Sequence, residues 1–188
     1  MKEFQFIKTL FLLTVVLTIS SCTKDDIEDN SQLTQITVKL KSSNQSSSQL
    51  YLDIEGVQIR IGENPHSTNS WVSLNTINQG VFNVSDLEEG NKLLLVDDFE
   101  VEATYVYEIR LLLGDNNFMD INHVLHSLDI ETLGNAKPSN LIETQLNSKR
   151  RYDMVIDIDL DKSVSYNEEE NMMILNPKLY TAIRQIEY

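Results

Sequence analysis

The chain has 188 residues and a formal net charge of −14, with 29 acidic against 15 basic residues, one cysteine, six glycines and three histidines. So acidic a surface repels phosphate backbones and anionic head groups, which excludes nucleic acid as a partner. A lone cysteine excludes an internal disulfide, and so few glycines and histidines offer little from which to build a phosphate loop or a catalytic triad.

Taken from the start, Lys2 and Lys8 precede an apolar run from Leu10 to Ile19, broken only by Thr14 and Thr18, and the small pair Ser20-Ser21 follows. Basic, then apolar, then small predicts a cleaved signal peptide over residues 1–21, since a bilayer-spanning helix needs about 20 apolar residues. Ile19-Ser20-Ser21-Cys22 resembles the lipobox of bacterial lipoproteins. A lipid transferase must reach the cysteine sulfur, so its neighbours are small; cleavage between Ser21 and Cys22 then leaves Cys22 as the lipid-bearing first residue, with no thiol left in the chain. Buried acyl methylenes contribute about 0.8 kcal/mol each, so two or three chains anchor stably. The membrane is thus an expected partner. Removing 21 residues that carry two lysines and one glutamate takes the formal charge from −14 to −15 and leaves 167 residues, one domain of ordinary size plus a short leader.

Residues 22–32 are polar and acidic with one aliphatic, Ile27, which predicts a tether and not a core element. Lys24-Asp25-Asp26 is open to two readings: plain solvation, or a resemblance to the export signal that sends lipoproteins to the outer face of the outer membrane. The expected location is the outer membrane, lipid-anchored, at the cell surface.

From residue 33 to 188 the dominant period is two, as expected of a single β domain. Ile36, Val38 and Leu40 alternate with Thr37 and Lys39. Leu50, Leu52 and Ile54 give way to Val57, Ile59 and Ile61, a parity switch at Gly56 that predicts a β-bulge or bend. Short strands are expected at Trp71–Leu74 and Val81–Val84, either side of a turn at Asn78-Gln79-Gly80. Tyr105–Leu113 reads as a central strand with Tyr105, Tyr107, Ile109, Leu111 and Leu113 on one face, ending at Gly114-Asp115-Asn116-Asn117, residues that tolerate positive φ and suit a tight turn. Asn140–Leu146 reads as a short helix capped by Ser139 or as another strand. Tyr152–Leu160 alternates with Tyr152, Met154, Ile156, Ile158 and Leu160 inward and aspartates outward, as in an antiparallel strand with one wet face. Met173, Leu175 and the tail to Ile186 supply the last one or two strands. About eight short strands without alternating helices indicate a sandwich or barrel.

The series Leu52–Ile61, Trp71-Val72-Ser73-Leu74-Asn75, Phe82-Asn83-Val84-Ser85-Asp86-Leu87, Thr104-Tyr105 and Ile109-Arg110-Leu111-Leu112-Leu113-Gly114-Asp115-Asn116-Asn117, followed by Tyr152–Asp159 and Asn176-Pro177, resembles the bacterial lipoprotein family known as domain of unknown function 4382, over residues 33–186. The resemblance implies an antiparallel β-sandwich of immunoglobulin or transthyretin type, with no catalytic residues to carry over. One departure is Glu102-Ala103-Thr104-Tyr105, which lacks the glycine usual at that corner.

Several residues invite a chemical reading. Asp153, Asp157, Asp159 and Asp161 are hard-cation donors, but residues two apart on a strand lie about 6.6 Å apart and do not converge, so a solvated face is preferred to calcium. Glu168-Glu169-Glu170 reads as a charged loop. On a strand, the spacing of His123 and His126 puts the rings on opposite faces, against a metal site. His66 falls in an exposed loop. Trp71, Tyr51, Tyr166 and Tyr180 suggest a sugar-stacking platform, with Trp71 and Tyr166 as the glycan contacts; ordinary packing is the rival reading, favoured for Trp71. The expected function is a non-catalytic binding or structural module, without cofactor, whose partner beyond the membrane is a glycan or an envelope protein. The alternatives are a glycan-binding or adhesin-like module and an unrecognised hydrolase.

Overall fold

The computed structural model describes residues 32–43 and 48–186. The signal peptide over 1–21, with Ser21 and Cys22, and all of the tether except Gln32 lie outside the described residues.

The described residues form thirteen strands in two sheets. The strands are β1 (Leu33–Ser43), β2 (Gln49–Arg60), β3 (Trp71–Leu74), β4 (Gly80–Asn83), β5 (Leu93–Glu102), β6 (Tyr105–Leu113), β7 (Phe118–Ile121), β8 (Val124–Asp129), β9 (Ser139–Gln145), β10 (Arg151–Asp159), β11 (Val164–Asn167), β12 (Met172–Leu175) and β13 (Lys178–Ile186). A single helical turn, α1 (Leu160–Ser163), follows β10. The smaller sheet runs β13-β10-β1-β5. The larger is built around β2, with β3 and β4 end to end along one side and β6 and β7 end to end along the other. Beyond them, β9 flanks β6, while β8, β12 and β11 continue outward from β7.

Of the sandwich and the barrel that the alternating pattern left open, the fold found is the all-β sandwich that the family resemblance implies. Ile36, Val38 and Leu40 of β1 and Met154, Ile156 and Ile158 of β10 pack in one cluster with Leu52, Ile54, Val57 and Ile59 of β2 and with Ile109 and Leu111 of β6. All twelve are essentially fully buried, and each such side chain contributes about 2 kcal/mol. The parity switch at Gly56 is a bulge: Ile54 pairs with Leu113 and Gly56 with Leu112, so Glu55 is the extra residue.

Other expectations need correction. Pairing is mostly antiparallel, but each sheet holds one parallel pair, β1 with β10 and β12 with β8. Alternation fixes which face a residue takes and is silent on strand direction. Tyr105 and Tyr107 do not point inward; Val106 is the buried residue there. Opposite it, β9 carries a bulge with Glu143 at φ 41°, which shifts the register against β6. Ser139 begins β9 as a strand residue and caps no helix.

Gly114–Asn117 is no hairpin turn, and none of its residues has positive φ. It joins β6 to β7 along the same side of β2, and Asn117, 2 % exposed, bridges the break. The Asn117 Oδ1 accepts from the Asp53 N–H at 2.9 Å, and its Nδ2 donates to the Gly114 carbonyl at 2.5 Å. A side chain larger than hydrogen at Gly114 would stand 2.6 Å from the Asp53 carboxylate. The tight turn falls instead at Asn122-His123, with φ 53° and 66°, a type I′ pair joining β7 to β8.

Candidate functional site

β8 and β12 run parallel but pair only through Met173 with Leu128 and Ile174 with Asp129. Ahead of that point the sheet splits, and a cleft of about 820 Å³ opens between them. His126 and Ser127 of β8 form one wall, Tyr166 of β11 with Asn171 and Met172 the other, and Asp115 reaches the rim from the β6–β7 link. Tyr166 is 54 % exposed, and its hydroxyl is hydrogen-bonded to the Asn171 Oδ1, which fixes the ring against the cleft. Asn171 has φ 53° and closes the exposed Glu168-Glu169-Glu170 turn, held by Asn167 Oδ1 accepting from the Glu169 and Glu170 N–H groups.

Asp129 closes the inner end of the cleft. It accepts backbone N–H bonds from Leu133 at 2.7 Å, Gly134 at 3.0 Å and Thr132 at 3.4 Å. These donors, the Leu133 N–H foremost, hold its carboxyl below the ordinary range. A carboxylate so held stays ionised at neutral pH and serves as a turn anchor, not as a proton donor. Gly134 is required because a Cβ there would lie 2.4 Å from the Asp129 carbonyl oxygen and 2.7 Å from that of Leu175.

The aromatic residues singled out in the sequence do not meet. Trp71, partly buried, lies in β3, five strand positions from β11 across the large sheet. It lines a separate cleft of about 270 Å³ with His66, its indole N–H donates to the Pro65 carbonyl, and the Arg110 guanidinium stacks on its ring at 3.6 Å. Burial there lowers the Arg110 pKa, against the charge of Glu108. Tyr51 stacks on Phe118 at 4.5 Å, and Tyr180 sits on β13 in the other sheet. A shared sugar platform of Trp71, Tyr51, Tyr166 and Tyr180 is therefore not formed. The pattern of single strands could not show that these residues belong to different sheets and edges.

The acidic face of β10 is distributed among lysines. Lys39 meets Asp153 at 2.9 Å, and Lys41 meets Asp157 at 3.1 Å and Glu89 at 3.2 Å. These bonds raise the Lys41 pKa, that to Asp157 first. Asp159 instead caps α1, accepting from the Lys162 N–H at 3.3 Å and pairing with its Nζ at 2.7 Å. Among the described residues no three His, Cys, Asp or Glu side chains are grouped to hold a metal ion. His123 sits in the β7–β8 turn while His126 faces the cleft.

Sequence reading missed the cleft itself, including Asp115 and the wall at His126 and Ser127. The available signal was Asn122-His123 between two short strands, a two-residue turn without its usual glycine.

Fold and cleft together define an all-β sandwich whose larger sheet is split near one edge. The chain belongs to the family described as a domain of unknown function (DUF4382), whose model matches residues 30–177. No curated protein and no solved structure matches it.

Proposed function

We propose that this protein is a non-catalytic binding module of the cell envelope, lipid-anchored through Cys22, that receives its partner in the cleft between β8 and β12. The carrying observation is the cleft: a sheet opened along a strand edge, with a half-exposed tyrosine held in place on the opposite wall. Such preorganisation favours recognition, because fewer side chains must be ordered on binding. Asp129, the acid at the inner end of the cleft, is held by three backbone N–H groups, and Asp153 and Asp157 are paired with lysines on the other sheet. The Ile19-Ser20-Ser21-Cys22 sequence supports the anchor, and Lys24-Asp25-Asp26 supports display on the outer face of the outer membrane.

A glycan-binding role is the second reading, favoured by the exposed Tyr166 ring beside Asn171 and Asp115. It draws on Tyr166 and not on Trp71, whose face is covered by Arg110.

The anchor is tested in the full chain with Cys22→Ala. Labelled palmitate is expected to enter the unaltered protein and not the variant, which is expected to be soluble or to keep its signal peptide uncut; label retained by the variant would overturn the assignment.

A further inference from the structure

We infer that the open side of β8 is a docking edge for an extended, basic peptide segment, which joins the large sheet as an added strand. The inference rests on the binding role of the β8–β12 cleft and names the class of its occupant.

The geometry follows from the turn. A two-residue hairpin at Asn122-His123 makes Ile121 and Val124 a hydrogen-bonded pair, so pairs alternate from there. His126 is bonded to Met119, whereas Leu125 and Ser127 stand in non-bonded pairs with Asp120 and Phe118. The Leu128 N–H donates to the Asn117 carbonyl at 3.0 Å, which confirms the phase. The N–H groups of Leu125 and Ser127, and the Leu125 carbonyl, therefore point away from β7 toward the cleft. β12 pairs with β8 only from Leu128 onward. Val124 to Ser127 thus offer an edge about 13 Å long at the usual rise per residue.

Edges of this kind are normally blunted. β9 carries the bulge at Glu143, β5 has Asp98 at φ 42°, β13 carries Lys178 and Arg184, and β3, β4 and β11 are four residues long. β8 has no proline, lysine or bulge, and it exposes Val124 by 55 % and Leu125 by 64 %. An uncovered aliphatic edge beside a cleft fits strand addition, in which main-chain bonds give affinity and alternate side chains give selectivity.

Charge selects the sign of the occupant. Asp115 and Glu131 line the cleft, with His126 the one basic side chain among the lining residues, and the exposed Glu168-Glu169-Glu170 turn joins two of those residues, Tyr166 and Asn171. A segment alternating aliphatic and basic residues would set the former on Leu125 and the Tyr166 ring and the latter toward these acids.

The test uses the full lipidated protein in detergent micelles and an alternating valine–lysine octapeptide carrying a fluorophore. Three comparisons accompany it: the same peptide with N-methylated valines, an alternating valine–glutamate octapeptide, and xylohexaose as a neutral sugar. Binding of the valine–lysine peptide is expected, with at least about tenfold weakening by valine N-methylation and by Leu125→Pro, each of which removes a strand-pairing N–H. Leu125→Ala keeps that N–H and is expected to weaken binding about threefold. In the unaltered protein, exchange of the Leu125 and Ser127 amides is expected to slow when peptide is added, a readout that needs no variant. Equal binding by N-methylated or acidic peptide, or unchanged amide exchange, overturns the inference. Xylohexaose binding that is lost in Tyr166→Ala, with no peptide binding, overturns it while leaving the cleft as the binding site; binding by none of the probes counts against both.

Discussion

Asn117 is the side chain on which the β6–β7 link depends, and its removal gives the sharpest test of how the sheet is held. Asn117→Ala deletes two hydrogen bonds, to the Asp53 N–H and the Gly114 carbonyl, in a site where Asn117 is 2 % exposed. Two net bonds contribute about 2 kcal/mol, and stranding the two backbone groups adds about 1 kcal/mol more. The expected loss is about 3 kcal/mol, or a fall in Tm of about 10 °C for a domain of this size. Urea unfolding followed by circular dichroism measures it, with Asn116→Ala as the control. The Asn116 side chain makes one exposed bond, Nδ2 to the Asp53 carboxylate at 3.1 Å, while its N–H bond to the same carboxylate is kept in the variant, and Asn116→Ala is expected to change stability by about 0.5 kcal/mol. A loss under about 1 kcal/mol for Asn117→Ala, at unchanged m-value, would refute the reasoning.

Two further predictions concern charged groups. Arg60, 7 % exposed, pairs with Glu108 at 2.9 Å and donates to the carbonyls of Gly62 and Glu63, so Arg60→Ala leaves Glu108 unpaired and is expected to cost about 3 kcal/mol. Lys92→Ala removes only the pair with the exposed Glu89, which solvent screens, and is expected to leave stability essentially unchanged; equal losses for the two in chemical denaturation would contradict the assigned burial. Asp129 has a depressed folded pKa, so its stabilising effect is present above the unfolded value of about 3.8 and is lost as pH falls through the lower folded value. The stability gap between the unaltered protein and Asp129→Asn is therefore expected to narrow between about pH 5 and about pH 2, and a gap that widens on acidification would show the sign to be wrong.

Much of the sandwich was legible where one strand presents one face to one core. β1, β2 and β10 show their buried residues by simple alternation, and the Gly56 bulge shows as a change of parity. β5 was illegible because Leu94-Leu95-Val96 runs straight into Asp97-Asp98, where a register shift and a positive φ break the period. Parallel pairing of β1 with β10 joins segments more than a hundred residues apart, and alternation carries no sign of it. Gly114–Asn117 has turn composition for another reason: Gly114 lets the Asp53 carboxylate approach, and Asn117 stands in for missing ladder bonds. Tyr166 was named from its type alone, and its cleft arises only when β8 and β12, more than forty residues apart, lie side by side and then part. No local pattern could show that.

The central claim, a folded sandwich carried on a lipid at Cys22, is tested most directly by mass spectrometry of the N-terminal peptide of the exported protein. The account predicts that this peptide begins at Cys22 and carries acyl chains. A peptide that retains Ser20-Ser21, or a Cys22 bearing a free thiol, would contradict it.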